Sequence, residues 1–189
     1  KLTEPCNNKI DLNIYTCVYI YMNATESRLD KLKAFLRFLY INGIVDISKI
    51  HEDSDEGFIN RLKIQKCVYL AKYYGLDLGY RYNMYIYGPY SADLSNEYYR
   101  VIDDIIVKKD YNNKEVEEME GFDAKRFLVD IKNKDANWLE LATTAINLSH
   151  VFKGEELLEV LYEMKGHRFP KEFIDKVYNE ILALVRIAS

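Results

Sequence analysis

Apolar residues return every third and fourth position through most of this chain, and that spacing dictates a helical fold. In "RLKIQKCVYLAKYYG", Ile64, Cys67, Val68 and Ala71 stand at i, i+3, i+4 and i+7, which makes one buried stripe. The pattern predicts a helix from about Phe58 to Tyr74, with Lys72 suited to the last turn and Gly75 to the exit. The polar run "HEDSDEG" at 51–57 reads as the loop before it.

The same spacing recurs on both sides. Leu29, Leu32, Leu36 and Leu39 share a face of a first helix expected from about Asn23 to Asn42, with Asn23 and Glu26 spaced as a capping box and Gly43 at the exit. Ser91 is placed to cap a helix carrying Leu94, Tyr98, Val101, Ile102 and Ile105. Residues 122–131 fit either period and are read as helix. Trp138, Leu141, Ala145, Leu148 and Phe152 form another stripe, and Leu157, Leu158, Leu161 and Tyr162 a further one closed by Gly166. Pro170 opens a last helix whose stripe is Ile174, Val177, Ile181 and Leu184. Residues 108–121, "KKDYNNKEVEEMEG", are charged and aperiodic, so they read as a linker between a segment at 23–107 and a C-terminal helical lobe at 122–189, packed together as one domain.

One stretch breaks the helical period. "YRYNMYIYGPYS" alternates, with Tyr82, Met84 and Ile86 facing one way and Arg81, Asn83, Tyr85 and Tyr87 the other. A half-buried strand over 81–87 is expected, stopped at Gly88-Pro89 because proline has no N–H for a ladder. The fold class is therefore mainly α: a compact multi-helix domain with a small β element and a Gly-Pro turn into a helix.

A length of 189 residues suffices to bury a sizeable core, and 49 % hydrophobic with 30 % charged residues describes a soluble globular chain. The net charge of -4 argues against broad, non-specific nucleic-acid binding. Cys6, Cys17 and Cys67 have no metal-like spacing, and Cys67 falls within an apolar stripe, so a reduced, cytoplasmic protein is expected. The apolar run 14–22 is too short to span a bilayer. Residues 1–22 read as an extension, either a strand or a segment ahead of a start at Met22. Gln65 is the only glutamine beside abundant Lys, Glu and Ile, a composition that suits a thermophilic source or an AT-rich genome.

No G-x-S-x-G elbow, Walker or dinucleotide glycine motif occurs. His51, in "HED", is the one histidine with adjacent metal-ligand types, but three neighbouring loop residues rarely converge on one ion. No catalytic residue, metal or cofactor is expected. Arg61, Lys63, Lys66 and Lys72, with Arg81 soon after, read either as a polar face or as a patch for an acidic partner or a nucleic-acid backbone.

The run "RLKIQKCVYLAKYYGL" followed by "YIYGPYSADL" resembles the core of the Panacea antitoxin-domain family, also called SocA-like or phage-associated proteins. The resemblance covers about residues 29–106. It is carried by Leu62, Ile64, Gln65, Lys66, Tyr69, Leu70 and Ala71 on a helix, then Tyr87, Gly88 and Pro89 at an aromatic-Gly-Pro turn, then Leu94. The Gly-Pro-Tyr-Ser form resembles uncharacterised archaeal and bacterial relatives more than the phage-associated members, which often carry aliphatic residues after the proline. The resemblance implies a mainly helical fold with a small β element and no catalytic residues. It also implies binding to a partner toxin, or service as an adaptor for proteolysis.

The expected function is thus a non-enzymatic protein-interaction module. Tyr85, Tyr87 and Tyr90 are its candidate contact residues, with Lys66 and Arg81 at a polar rim. The partner would be a protein such as a toxin, or a second copy of the chain. A winged-helix-like DNA-binding regulator is the alternative. The helix after Ser91 carries Asp93, Glu97, Asp103 and Asp104 against Arg100, a poor face for phosphates. A metal-dependent nuclease ranks last, since no spaced carboxylate–lysine cluster stands out.

Overall fold

A computed structural model describes residues 28–109, 119 and 121–188, with side chains through 182. The expected N-terminal extension, the Asn23 cap, Leu184 and most of the charged linker lie outside these residues. Helix α1 is seen over 28–41, and a 3-10 turn, Ile47–Lys49, leads into α2, Asp55–Ala71. A second 3-10 turn, Lys72–Tyr74, precedes the strands β1, Asn83–Tyr85, and β2, Gly88–Tyr90. Helices α3 (Ala92–Lys108), α4 (Ala124–Ile131), α5 (Ala136–Leu148), α6 (Gly154–Lys165) and α7 (Lys171–Ala188) follow. The fold is mainly helical with one two-stranded antiparallel sheet. No helix among the described residues is long and apolar enough to cross a membrane.

The helix ends follow from short polar side chains that accept orphan backbone N–H groups. Ser54 caps α2 through Gly57 N, so the helix begins three residues before the expected Phe58 and takes in the end of the run expected to be loop. Ser91 caps α3 through Leu94 N, Asp123 caps α4 through Arg126 N, and Asp135 caps α5 through Trp138 N. Gly75, at φ 90°, ends the α2 segment, and a side chain there would fall onto the Gly121 carbonyl.

Helix α5 is the centre of the molecule. Every residue from Trp138 to Ile146 is buried, so this part of the helix has no solvent face. It packs against α2, α6, α7 and β2. Thr143 and Thr144 satisfy their buried hydroxyls by donating back to the Leu139 and Glu140 carbonyls at 2.8 and 2.7 Å. One continuous apolar cluster runs from Leu32 on α1 to Ile181 on α7. Within it Phe35, Phe38, Phe122 and Phe127 meet ring to ring, with Tyr74 against Phe127. Cys67 is buried and free, and burial pushes its thiol up to about 12.

The acids of α3 serve the fold. Glu97 pairs with Arg28 and accepts from Tyr80 Oη at 2.6 Å. Asp104 takes Lys33 and Lys108. Asp103 meets His51 Nε2 at 2.7 Å, which gives His51 a hydrogen-bond partner at the surface.

The β element differs from the single strand expected over 81–87. Gly88-Pro89 does not end the pairing. Ile86 and Tyr87 form a two-residue turn, and Gly88-Pro89-Tyr90 returns as the second strand, with Asn83 opposite Tyr90, Met84 opposite Pro89 and Tyr85 opposite Gly88. The left-handed residue of this hairpin is Gly88, at φ 81°, while both turn residues keep negative φ. Pro89 is tolerated because its missing N–H can be spared at a pair that is not doubly hydrogen-bonded. The alternation holds for Tyr82 and Met84 inward and Arg81, Asn83 and Tyr85 outward, then fails at Ile86, which the turn leaves 69 % exposed.

Candidate functional site: an aromatic groove on a clamped hairpin

Gln65 and Lys66, adjacent on α2, face the hairpin's return strand. The Gln65 amide donates to Ser91 O at 2.9 Å and accepts from Ser91 N at 3.0 Å. It thereby supplies both bonds that a neighbouring strand would supply, in a place where the backbone is buried and must be paired. Lys66 Nζ donates to Pro89 O at 2.6 Å. From α6, Lys165 Nζ donates to Ile86 O at 2.7 Å. Three side chains thus hold the backbone at the turn, on β2 and just after it.

Glu140, on α5, neutralises this clamp. It is 1 % exposed and takes Lys165 at 2.6 Å on one oxygen and Arg168 at 3.1 Å on the other. Arg168 then lies over the Tyr87 ring, 4.6 Å from its centroid, and Phe58 meets the same ring edge-on at 5.0 Å. Gly88 is pressed against α5. A Cβ there would stand 2.5 Å from Thr144 Oγ1 and 3.3 Å from Glu140 O.

Burial pushes the Lys66 ammonium down to about 7, with the Glu140 charge opposing that shift and the Lys165 charge reinforcing it. The unfolded chain keeps this lysine near its ordinary 10.5 and so binds more protons between about pH 7 and 10.5. Stability therefore rises with pH across that window and carries the full cost of the buried charge below it. Cys67 acts the other way above its ordinary value of 9.0, because only the unfolded chain then loses the thiol proton. Urea unfolding between pH 7 and 9 is expected to show the midpoint climbing in the parent and flattening in Lys66→Met. Equal slopes in the two proteins would contradict the assignment.

In front of the clamp lies a cavity of about 350 Å³ with three walls. Helix α2 provides Phe58, Arg61, Leu62 and Gln65, at i, i+3, i+4 and i+7. Helix α3 provides Ser95, Tyr98 and Tyr99, and the hairpin provides Tyr85, Ile86, Tyr87 and Tyr90. Tyr85 and Tyr90 stack edge to face at 5.3 Å. Tyr85 is 55 % exposed, so aromatic surface reaches solvent at the rim.

The three candidate tyrosines, Tyr85, Tyr87 and Tyr90, come together in this groove. The two candidate cations do not form its rim. Lys66 is 2 % exposed and spent on Pro89, because its position on the helix faces the core. Arg81 is exposed, but it precedes β1 and does not line the cavity. The wider basic group is likewise dispersed. Lys63 donates to Ile44 O, Arg61 to Ile50 O and Glu52 O, and Lys72 lies over Tyr69 and Tyr73. The family-motif positions are structural in the same sense: Leu62, Tyr69, Leu70, Gly88, Pro89 and Leu94 are buried, with Tyr69 against Tyr82 at 5.0 Å.

Sequence reasoning missed Glu140, Lys165 and Arg168. The available signal was Glu140 itself, an acid between two leucines in "ANWLELATTAINL", where the stripe leaves little room for charge. No group of His, Cys, Asp and Glu among the described residues could hold a metal. Comparison with protein-family models, curated proteins and solved structures finds no match to this chain.

Proposed function

We propose that this chain is a non-enzymatic protein-interaction module, similar to an antitoxin or a proteolytic adaptor of the Panacea type, which holds a protein partner in the groove between α2, α3 and the hairpin. One observation carries the reading: Phe58, Tyr85, Tyr87, Tyr90, Tyr98 and Tyr99 line a single open cavity. Tyrosine suits such a surface because its ring is apolar and its hydroxyl tolerates water. The clamp behind the hairpin keeps the aromatic wall rigid, which lowers the entropy lost on binding. The Gln65-Lys66 and Gly88-Pro89 pairs on which the family resemblance rests are the parts that build this clamp. The reading places the protein in the cytoplasm, with no cofactor. Duplex DNA is the weaker alternative, since α3 is acidic and Lys63 and Lys66 of α2 are engaged by backbone carbonyls.

The test is co-expression with the products of the adjacent reading frames, scoring co-purification and relief of toxicity. Tyr85→Ala and Ile86→Ala are expected to weaken the captured partner by about tenfold or more each. Neither should shift the melting temperature appreciably, since both side chains are largely exposed. If no neighbouring product binds or is neutralised, the antitoxin reading fails.

A further inference from the structure

We infer that the groove selects an acidic partner segment, with an aromatic or aliphatic side chain in the cavity and a carboxylate beside it paired to Arg61. This rests on the protein-binding reading above and adds the charge and chemistry of the occupant.

Arg61 sits in the groove wall formed by α2 and also lines the adjoining depression made by Ile50, His51, Glu52, Asp53 and Tyr99. Its Nη1 donates to Ile50 O and Glu52 O at 2.9 and 2.8 Å, so the guanidinium is held in place before any ligand arrives. Among the described residues no carboxylate lies within ion-pair distance of it, and Glu52 offers it a carbonyl while its carboxylate goes to Lys49 at 2.7 Å. Lys66, at the back of the cavity, is committed to Pro89 O, and Arg168, behind the Tyr87 ring, to Glu140. The anion that balances Lys165 and Arg168, Glu140, is buried behind the hairpin. Six aromatic rings alone would welcome a cation on their faces. Arg61, at the α2 wall, reverses that preference by offering its remaining N–H groups to a carboxylate.

The experiment is an NMR titration of the full chain with three blocked tripeptides: Asp-Phe-Asp, Asn-Phe-Asn and Lys-Phe-Lys. The acidic peptide should bind about tenfold tighter than the basic one at low salt, a difference that one charge-assisted contact supplies. Raising the salt should erode it. Shifts should centre on the hairpin and on Tyr98 and Tyr99. Arg61→Gln should bring the three affinities together while leaving the neutral peptide within about twofold, and Arg61→Lys should keep the ranking. If Arg61→Gln does not fold, the salt dependence of the parent protein carries the same test. Binding in the groove with no charge preference would overturn this inference and leave the groove itself standing. Peptides that leave the groove resonances unmoved would overturn both.

Discussion

Glu140→Gln is expected to lose roughly 3–5 kcal/mol of stability near pH 7, because it strands buried cations that share one counter-charge. The Lys165 side chain is 2 % exposed, and its Nζ keeps only the Ile86 carbonyl when the carboxylate goes. Arg168 meets an amide that can offer it a competing donor. Adding Lys165→Met to Glu140→Gln should recover about half of the loss, because the charge is then absent on both sides. Urea unfolding of the single and double variants near pH 7 reads both effects. A single variant within about 1 kcal/mol of the parent would mean that the clamp is not electrostatically closed.

Gly88→Ala is expected to cost roughly 2–4 kcal/mol, from a left-handed backbone that L-residues resist and from overpacking against α5. The two contributions separate against Gly43→Ala. Gly43 has a similar φ, 69°, but a Cβ there meets nothing within 4 Å. That variant should lose only about 1 kcal/mol. If the two substitutions cost the same, the close approach of the hairpin to Thr144 has no energetic weight.

Much of the frame was legible along the chain. The α2 stripe, the Ser91 cap, the exit at Gly75 and the helical reading of 122–131 all appear in the structure, as Asp55–Ala71, Leu94 N on Ser91 Oγ, a left-handed Gly75 and Ala124–Ile131. These features depend on residues a turn apart, so local spacing carries them. The hairpin was legible only in half. Alternation located β1, but a proline read as a stop became part of β2. Whether a missing N–H matters depends on which partner faces it, and here the opposite residue is Met84.

The candidate site divides the same way. Tyr85, Tyr87 and Tyr90 could be named from one short run because a tyrosine-rich hairpin exposes some of its rings in any packing. The role of each cation could not. Lys66 and Arg61 differ by five positions on one helix; one is sealed on Pro89 while the other faces the groove. By itself, the sequence determined a mainly helical chain with the Ser91 cap, the break at Gly75 and an aromatic turn. Only the tertiary structure decided which charges are buried, what neutralises them and which aromatic faces remain open. The reason is the range of the forces. Helix periodicity and capping act within about four residues along the chain. Burying a lysine is tolerable only when an acceptor or anion arrives from elsewhere, and Lys165 finds Ile86 across a separation of 79 residues.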